Sequence, residues 1–249
     1  LLVRFLRALA GTFVNDLKIF FSRPIELVRE KHLMAIPGTV VSVTMIALFA
    51  IIQHFRPTGL DFVQAVAGVH QGEHLWEVLL QLPLSMFAPA PMLPAWGAML
   101  QVFVAFGISE CWLGWRKMLA IAVLTSAVTS MAARLMVAIS MSWYIGTPEI
   151  DNWQLDTGPS VGVVSLLIYL ALRLRTYWIV ALTAVSMGGE AALLPNLAGR
   201  EHLVAISLGV ITYLLLDMAW PAWRRRRSGD DAGPGGTGTA DTTDTAVSG

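Results

Sequence analysis

The chain has 249 residues, 55% of them hydrophobic and 14% charged, with a formal net charge of zero and a mean hydropathy of +0.63. Soluble domains carry about 25% charged residues, so this composition excludes an ordinary water-facing domain and predicts an all-α, polytopic membrane protein. Cys111 is the sole cysteine, which excludes an internal disulfide and any cysteine-based zinc or redox centre within one chain.

Residues 1–32 open with "LLVRFLRALAGTFVNDLKIFFSRPIELV" and interleave basic and apolar residues over several turns. That pattern predicts an amphipathic helix at the cytoplasmic interface, with a cytoplasmic helix packed on the bundle as the alternative. The segment is too long and too mixed for a signal peptide. Residues 33–220 carry six apolar runs that suit membrane crossing, which takes roughly 20 residues per span. They cover 33–55, 94–108, 118–143, 158–172, 178–194 and 202–220. Between the first two, "EVLLQLPLSMFAPAPML" is short and rich in proline, so a re-entrant or interfacial element is expected there. Residues 221–249 form a basic flank, "WRRRR" included, and a polar tail with almost nothing to bury, expected to be disordered and cytoplasmic.

Short cytoplasmic loops are the ones enriched in Lys and Arg. With six crossings, the basic N-terminal flank, Arg116 with Lys117, Arg173 with Arg175, and the "RRRR" run all fall on one side. Asp61, Glu73, Glu77, Glu149, Asp151 and Asp156 fall on the other, as do Arg200 and Glu201 in the loop expected before the sixth span. Both termini are therefore expected in the cytoplasm, with the protein in the plasma membrane and the lipid bilayer as its first partner. No nucleic acid is expected as a partner.

"GPSVG", from Gly158 to Gly162, fits Gly-x-Ser-x-Gly and places Ser160 at the outer start of the fourth span. No strand-helix alternation surrounds it, so the serine elbow of α/β-hydrolases is excluded. His202 is expected at the outer start of the sixth span, at similar depth and on a helix running the same way. A serine and a histidine so placed suit nucleophilic attack on a carbonyl with the imidazole as base. Gly158, Pro159, Val161 and Gly162 would support the helix start and its free amides, and Asp156 or Thr157 would cap it. The competing interpretation is helix packing, since Gly and Ser are common where membrane helices meet and Ala205 with Gly209 forms a small-xxx-small face.

The six spans, "GPSVG", "EHLVAISLG" and the turn "ECWLGWRK" from Glu110 to Lys117 together resemble the rhomboid family of intramembrane serine proteases and their rhomboid-like relatives. The resemblance covers about residues 33–220. It implies a six-helix rhomboid-like transmembrane bundle, with Ser160 and His202 as a catalytic dyad that hydrolyses peptide bonds of membrane proteins. It implies no cofactor and no metal, and a transmembrane protein as substrate. Family members usually carry His-x-x-x-Asn in the second span to help bind the oxyanion; counting back from the Glu-x-x-Leu-Gly turn puts Pro94 and Ala98 there. Val161 stands for the second glycine of Gly-x-Ser-Gly, Val164 for the aromatic residue that stacks on the histidine, and the first loop lacks a Trp-Arg pair. The alternative expectation is thus a catalytically inactive rhomboid-like protein that binds or assists membrane-protein clients.

Other polar residues carry simpler expectations. Arg134 in the third span is expected to snorkel to the outer headgroups. His70 and His74, with Glu73 and Glu77, lack the zincin pattern, so no metal site is expected. Trp96, Trp112 and Trp115 are expected as boundary anchors. Glu190 and Asp217 lie toward span ends and do not form the midplane relay of a transporter.

Overall fold

A computed structural model describes residues 2–69, 74–90, 94–140, 158–193 and 197–220. His70, Glu73, Glu149, Asp151, Asp156, Thr157 and the tail from 221 lie outside the described residues. The chain divides into two units, Leu1–Tyr213 and Leu214–Gly249. The first holds α1 (Leu2–Lys31), a short 3-10 turn (His32–Ala35), α2 (Pro37–Phe55), α3 (Gly59–Ala67), α4 (Leu75–Ser85), α5 (Ala95–Leu113), α6 (Trp115–Ser140), α7 (Ser160–Leu174), α8 (Tyr177–Leu193) and α9 (Leu197–Tyr213). The second opens with a π-helical turn, Leu214–Ala219.

The protein is all-α and polytopic. Among the described residues four helices are long and apolar enough to cross a bilayer: Pro37–Phe55, Ala95–Leu113, Trp115–Met136 and Leu197–Ala219. The expected fourth and fifth spans, α7 and α8, are apolar but only 15 and 17 residues long. At 1.5 Å per residue α7 is about 22 Å long, against about 30 Å of hydrocarbon. Its surroundings account for that. Ten of its residues, from Val161 to Ala171, are buried, and it packs against α5, α6, α8 and α9; a helix sheathed by others need not match the lipid thickness. Between α2 and α5, α4 has 11 residues with Pro83 inside it, about 16 Å and too short to cross.

Lipid tails are as apolar as leucine, so helices in a bilayer associate through close packing and polar bonds rather than through a hydrophobic drive. The main cluster joins Ile46 of α2, Val102 and Phe106 of α5, Met118 of α6 and Leu166 and Tyr169 of α7, all buried. A polar clamp fixes its edge. The residue before α2, Ile36, has no side chain able to cap the helix, and Pro37 contributes no N–H. The next two amides are taken by a carboxylate from α5: Gly38 N–H donates to Glu110 Oε1 at 2.8 Å and Thr39 N–H to Oε2 at 2.7 Å, while the Thr39 hydroxyl donates to the same Oε2 at 2.8 Å. Val40 N–H then reaches Ile36 O, so every first-turn donor has an acceptor. A negative group at a helix N-terminus is also favoured by the helix dipole. The approach needs glycine at 38, where a Cβ would sit 2.9 Å from Trp115 Cβ and 3.1 Å from Glu110 Oε1.

The Glu-x-x-Leu-Gly turn supplies the geometry. After Leu113 the chain turns at Gly114, whose φ of +77° strains any residue with a side chain, and its N–H returns to Glu110 O at 2.8 Å. Thus α5 ends where α2 begins.

A second carboxylate works the same way. Asp16 of α1 accepts the Trp178 N–H at 2.9 Å in the first turn of α8, and Trp178 Nε1–H donates to Thr12. Trp112, expected as a boundary anchor, instead donates to Phe20 O of α1 at 3.2 Å, with Arg23 over its ring. So α1 packs on α5 and α8 while leaving Phe5, Leu6, Ile25 and Val28 exposed. It lies along the face where α2 and α8 begin and α5 and α7 end. Arg116, Lys117, Arg173 and Arg175 belong to that same face, with the basic residues of α1.

Replacing Glu110 by Ala leaves two buried amides and a hydroxyl without an acceptor. A charged group's hydrogen bonds are worth about 1.5–3 kcal/mol each before relaxation. E110A is therefore expected to lower the thermal unfolding midpoint in detergent strongly, by the equivalent of at least about 2 kcal/mol. E110Q, which keeps one acceptor oxygen, should fall between it and the parent.

Candidate functional site

The face opposite α1 is where α5, α7 and α9 begin and α8 ends. Ser160 is the first residue of α7, with Pro159 as its N-cap and no side-chain cap bond. Gly158 enters with φ +127°, and its N–H donates to Ser85 O at 3.2 Å, tying the approach to the end of α4. The first helical bond comes from Val163 N–H to Pro159 O at 2.9 Å. The amides of Ser160, Val161 and Gly162 precede it and have no carbonyl partner within the helix.

Ser160 lines a cavity of about 260 Å³ with Gly158, Pro159, Pro89, Ala90, Pro94, Gly97, Ala98 and Gln101. Pro94 and Ala98, the positions reached by counting back from the Glu-x-x-Leu-Gly turn, thus stand beside the serine. Neither has a side-chain donor. Gln101, one turn further along α5, does, and sequence patterns gave no reason to single it out.

Helices α7 and α9 run parallel, because their contacts advance together along both. Val161 and Val164 pack with Ala205, the Ser165 hydroxyl donates to Ala205 O at 3.0 Å, and Gly209 lies against Ser165 and Ile168. A Cβ at Gly209 would fall 2.8 Å from both Ser165 O and Ile168 Cβ. Ser160 lies five residues before Ser165 and His202 three before Ala205, which at 1.5 Å per residue leaves them only about 3 Å apart in depth.

His202 is buried, but not at a helix start. It lies five residues beyond Leu197, where α9 begins. Arg200 and Glu201, expected in the preceding outer loop because they are charged, are good helix formers and extend the helix upstream; Glu201 is itself buried. The imidazole Nδ1 faces Glu190 Oε2 of α8 at 3.2 Å. Among the described residues no hydrogen bond joins Ser160 to His202, and His202 does not line the Ser160 cavity.

The remaining candidates resolve locally. His74 is the N-cap of α4 and its N–H donates to Glu77 Oε2 at 3.2 Å, so Glu77 serves a capping box. Arg134 in α6 is half-buried and has an interaction partner, not only the outward path expected of it. Trp96 and Trp115 are exposed at the starts of α5 and α6. Among the described residues no group of three or more His, Cys, Asp and Glu is arranged to hold a metal.

Comparison with protein-family models, curated proteins and solved structures gave no match.

The packing at Gly209 has a direct check. G209A places a methyl group against a backbone oxygen and should destabilise by about 1–3 kcal/mol, seen as a lower unfolding midpoint in detergent. G188A, in α8 with open space at the Cβ position, should leave the midpoint unchanged or raise it slightly.

Proposed function

We propose that the chain is a rhomboid-like intramembrane serine protease, a six-span bundle with both termini in the cytoplasm and its site toward the outer face. The observation that carries this reading is the cavity at the start of α7: a serine at the first position of a helix, facing a small space, with a buried histidine at nearly the same depth on the parallel neighbour. The gathering of basic residues on the α1 face supports the orientation.

In this reading a substrate's transmembrane segment unwinds at the cavity, whose volume lies below the ~300–1,000 Å³ of small-molecule pockets and suits a short stretch of chain. The Ser160 hydroxyl attacks the carbonyl carbon while His202 takes its proton, and the free amides at the start of α7, with the side chain of Gln101, which lines the cavity, bind the oxyanion. His202 then protonates the leaving amine, and water hydrolyses the acyl-enzyme. The Ser160–His202 hydrogen bond forms as substrate docks, since such bonds are often long in the free enzyme. No cofactor takes part.

A second reading is favoured by Pro94 and Ala98, which put two residues without donors at the cavity wall. In it the same bundle binds or assists transmembrane clients without cleaving them.

A fluorophosphonate probe separates the two. It bonds to an activated serine with loss of fluoride. The protease reading expects labelling in detergent that disappears in S160A and falls by about 10²-fold or more in H202A. Absence of labelling in a folded protein that still captures a transmembrane peptide supports the client-binding reading.

A further inference from the structure

The His202–Glu190 pair has a chemical consequence that a serine-histidine dyad alone does not contain. Glu190 lies near the end of α8, three residues before Leu193, and His202 lies in the second turn of α9. Their side chains meet at 3.2 Å between Nδ1 and Oε2, with the histidine side chain 9% exposed and the glutamate 32%. An ionised carboxylate only accepts hydrogen bonds, so opposite one the facing ring nitrogen carries the proton. In a neutral imidazole that leaves Nε2 unprotonated.

We infer that Glu190 is a positioning residue for His202: it holds the ring in the Nδ1–H tautomer and makes Nε2 the basic nitrogen available to Ser160. The inference rests on the protease reading for its catalytic meaning, and on the Glu190–His202 geometry alone for the tautomer. The division of labour is that of a triad, in which an acid orients the base and stabilises its protonated form without giving up or taking a proton itself. When Ser160 transfers its proton to Nε2, the imidazolium faces a negative carboxylate rather than an apolar helix packing surface. The Glu190 side chain is partly exposed while its carboxyl group is directed at the ring.

A purely structural pair bridging α8 and α9 would contribute to stability and nothing else. Two readouts separate the roles. The first is the tautomer of His202 by nuclear magnetic resonance on histidine-labelled protein in detergent, assigned by loss of the signal in H202A and measured above the imidazole's titration. The second is the rate of fluorophosphonate labelling. Wild type is expected to show the Nδ1–H form. E190A removes the acceptor and should release the ring to a mixture of tautomers. E190Q has the same shape but can offer its NH₂ group to Nδ1, and should shift the ring toward Nε2–H; it also keeps the test valid if E190A fails to fold. Both variants should label at least about tenfold more slowly, a part of the ~10²–10⁴ that a positioned base contributes. E190D, which retains the carboxylate, should recover part of that rate.

A wild-type ring in the Nε2–H form overturns the inference, as does an unchanged tautomer in both folded E190A and E190Q. Labelling at the wild-type rate in those variants overturns the catalytic part. If wild type is not labelled at all but its tautomer responds to E190Q as stated, the protease reading fails while Glu190's hold on His202 stands.

Discussion

The fold depends on one carboxylate. Helix α2 starts without a capping side chain of its own, and its first-turn amides are buried against α5; without an acceptor they would cost roughly 1–3 kcal/mol each. Glu110 supplies the acceptor from a different helix, and the negative group sits where the helix dipole favours it. Burying a lone carboxylate would be expensive, but three donors and a helix end offset that cost. The bond also fixes more than an end. Helix α5 is rigid over 19 residues, so holding Glu110 against α2 fixes the rotation of the whole helix. Ala98 lies twelve residues earlier, about 120° around the axis. The side of α5 that meets Ser160 at one membrane face is thus set by a clamp at the other.

The same device recurs at Asp16, which caps the first turn of α8 from α1. Together these two acids join α1, α2, α5 and α8 at one face through directional bonds. Between the helices, small residues add close backbone approach to these bonds. Gly209 lies against Ser165 and Ile168, and a Cβ added at Gly162 would sit 3.2 Å from the Ser126 hydroxyl oxygen.

Local features of this architecture were legible in the sequence. The Glu110–Gly114 turn, the start of α7 next to Pro159, and the short proline-bearing α4 all carry signals in consecutive residues. What the sequence left dark depends on partners from distant segments. Nothing around Glu110 names Gly38 and Thr39 as its donors, because a cross-helix cap has no periodicity. His202 was expected at a helix start because Arg200 and Glu201 look like loop charges, whereas α9 begins at Leu197, with Leu197, Gly199 and Glu201 buried. Trp112 looks like a boundary anchor until α1 is placed over it. The length rule counted α7 and α8 as ordinary spans, but they are apolar helices of only 15 and 17 residues, α7 being enclosed by four others. Gln101 and Glu190 stand among apolar neighbours in sequence, and only the third dimension puts Gln101 in the cavity of Ser160 and Glu190 against His202.

The strength of any chemistry at this site is governed by its oxyanion donors. Removing one such donor commonly costs about 2.7–4 kcal/mol of transition-state stabilisation, and Pro94 and Ala98 both stand where a donor would be useful. Under the proteolytic reading the amides that open α7 are a fixed replacement, since they are already oriented by the helix and lose no side-chain entropy on binding. Gln101 is a flexible one and gives up rotamer freedom to act. Under the proteolytic reading, catalysis therefore rests more heavily on the backbone of α7 and on a well-directed base than on the wall formed by α5. That arrangement favours a slow enzyme in which the orientation of His202 matters more than it would beside a fully furnished oxyanion site. It also explains how the client-binding reading draws on the same residues: a cavity with fixed amides and few side-chain donors can hold an unwound carbonyl without greatly lowering the barrier to its cleavage.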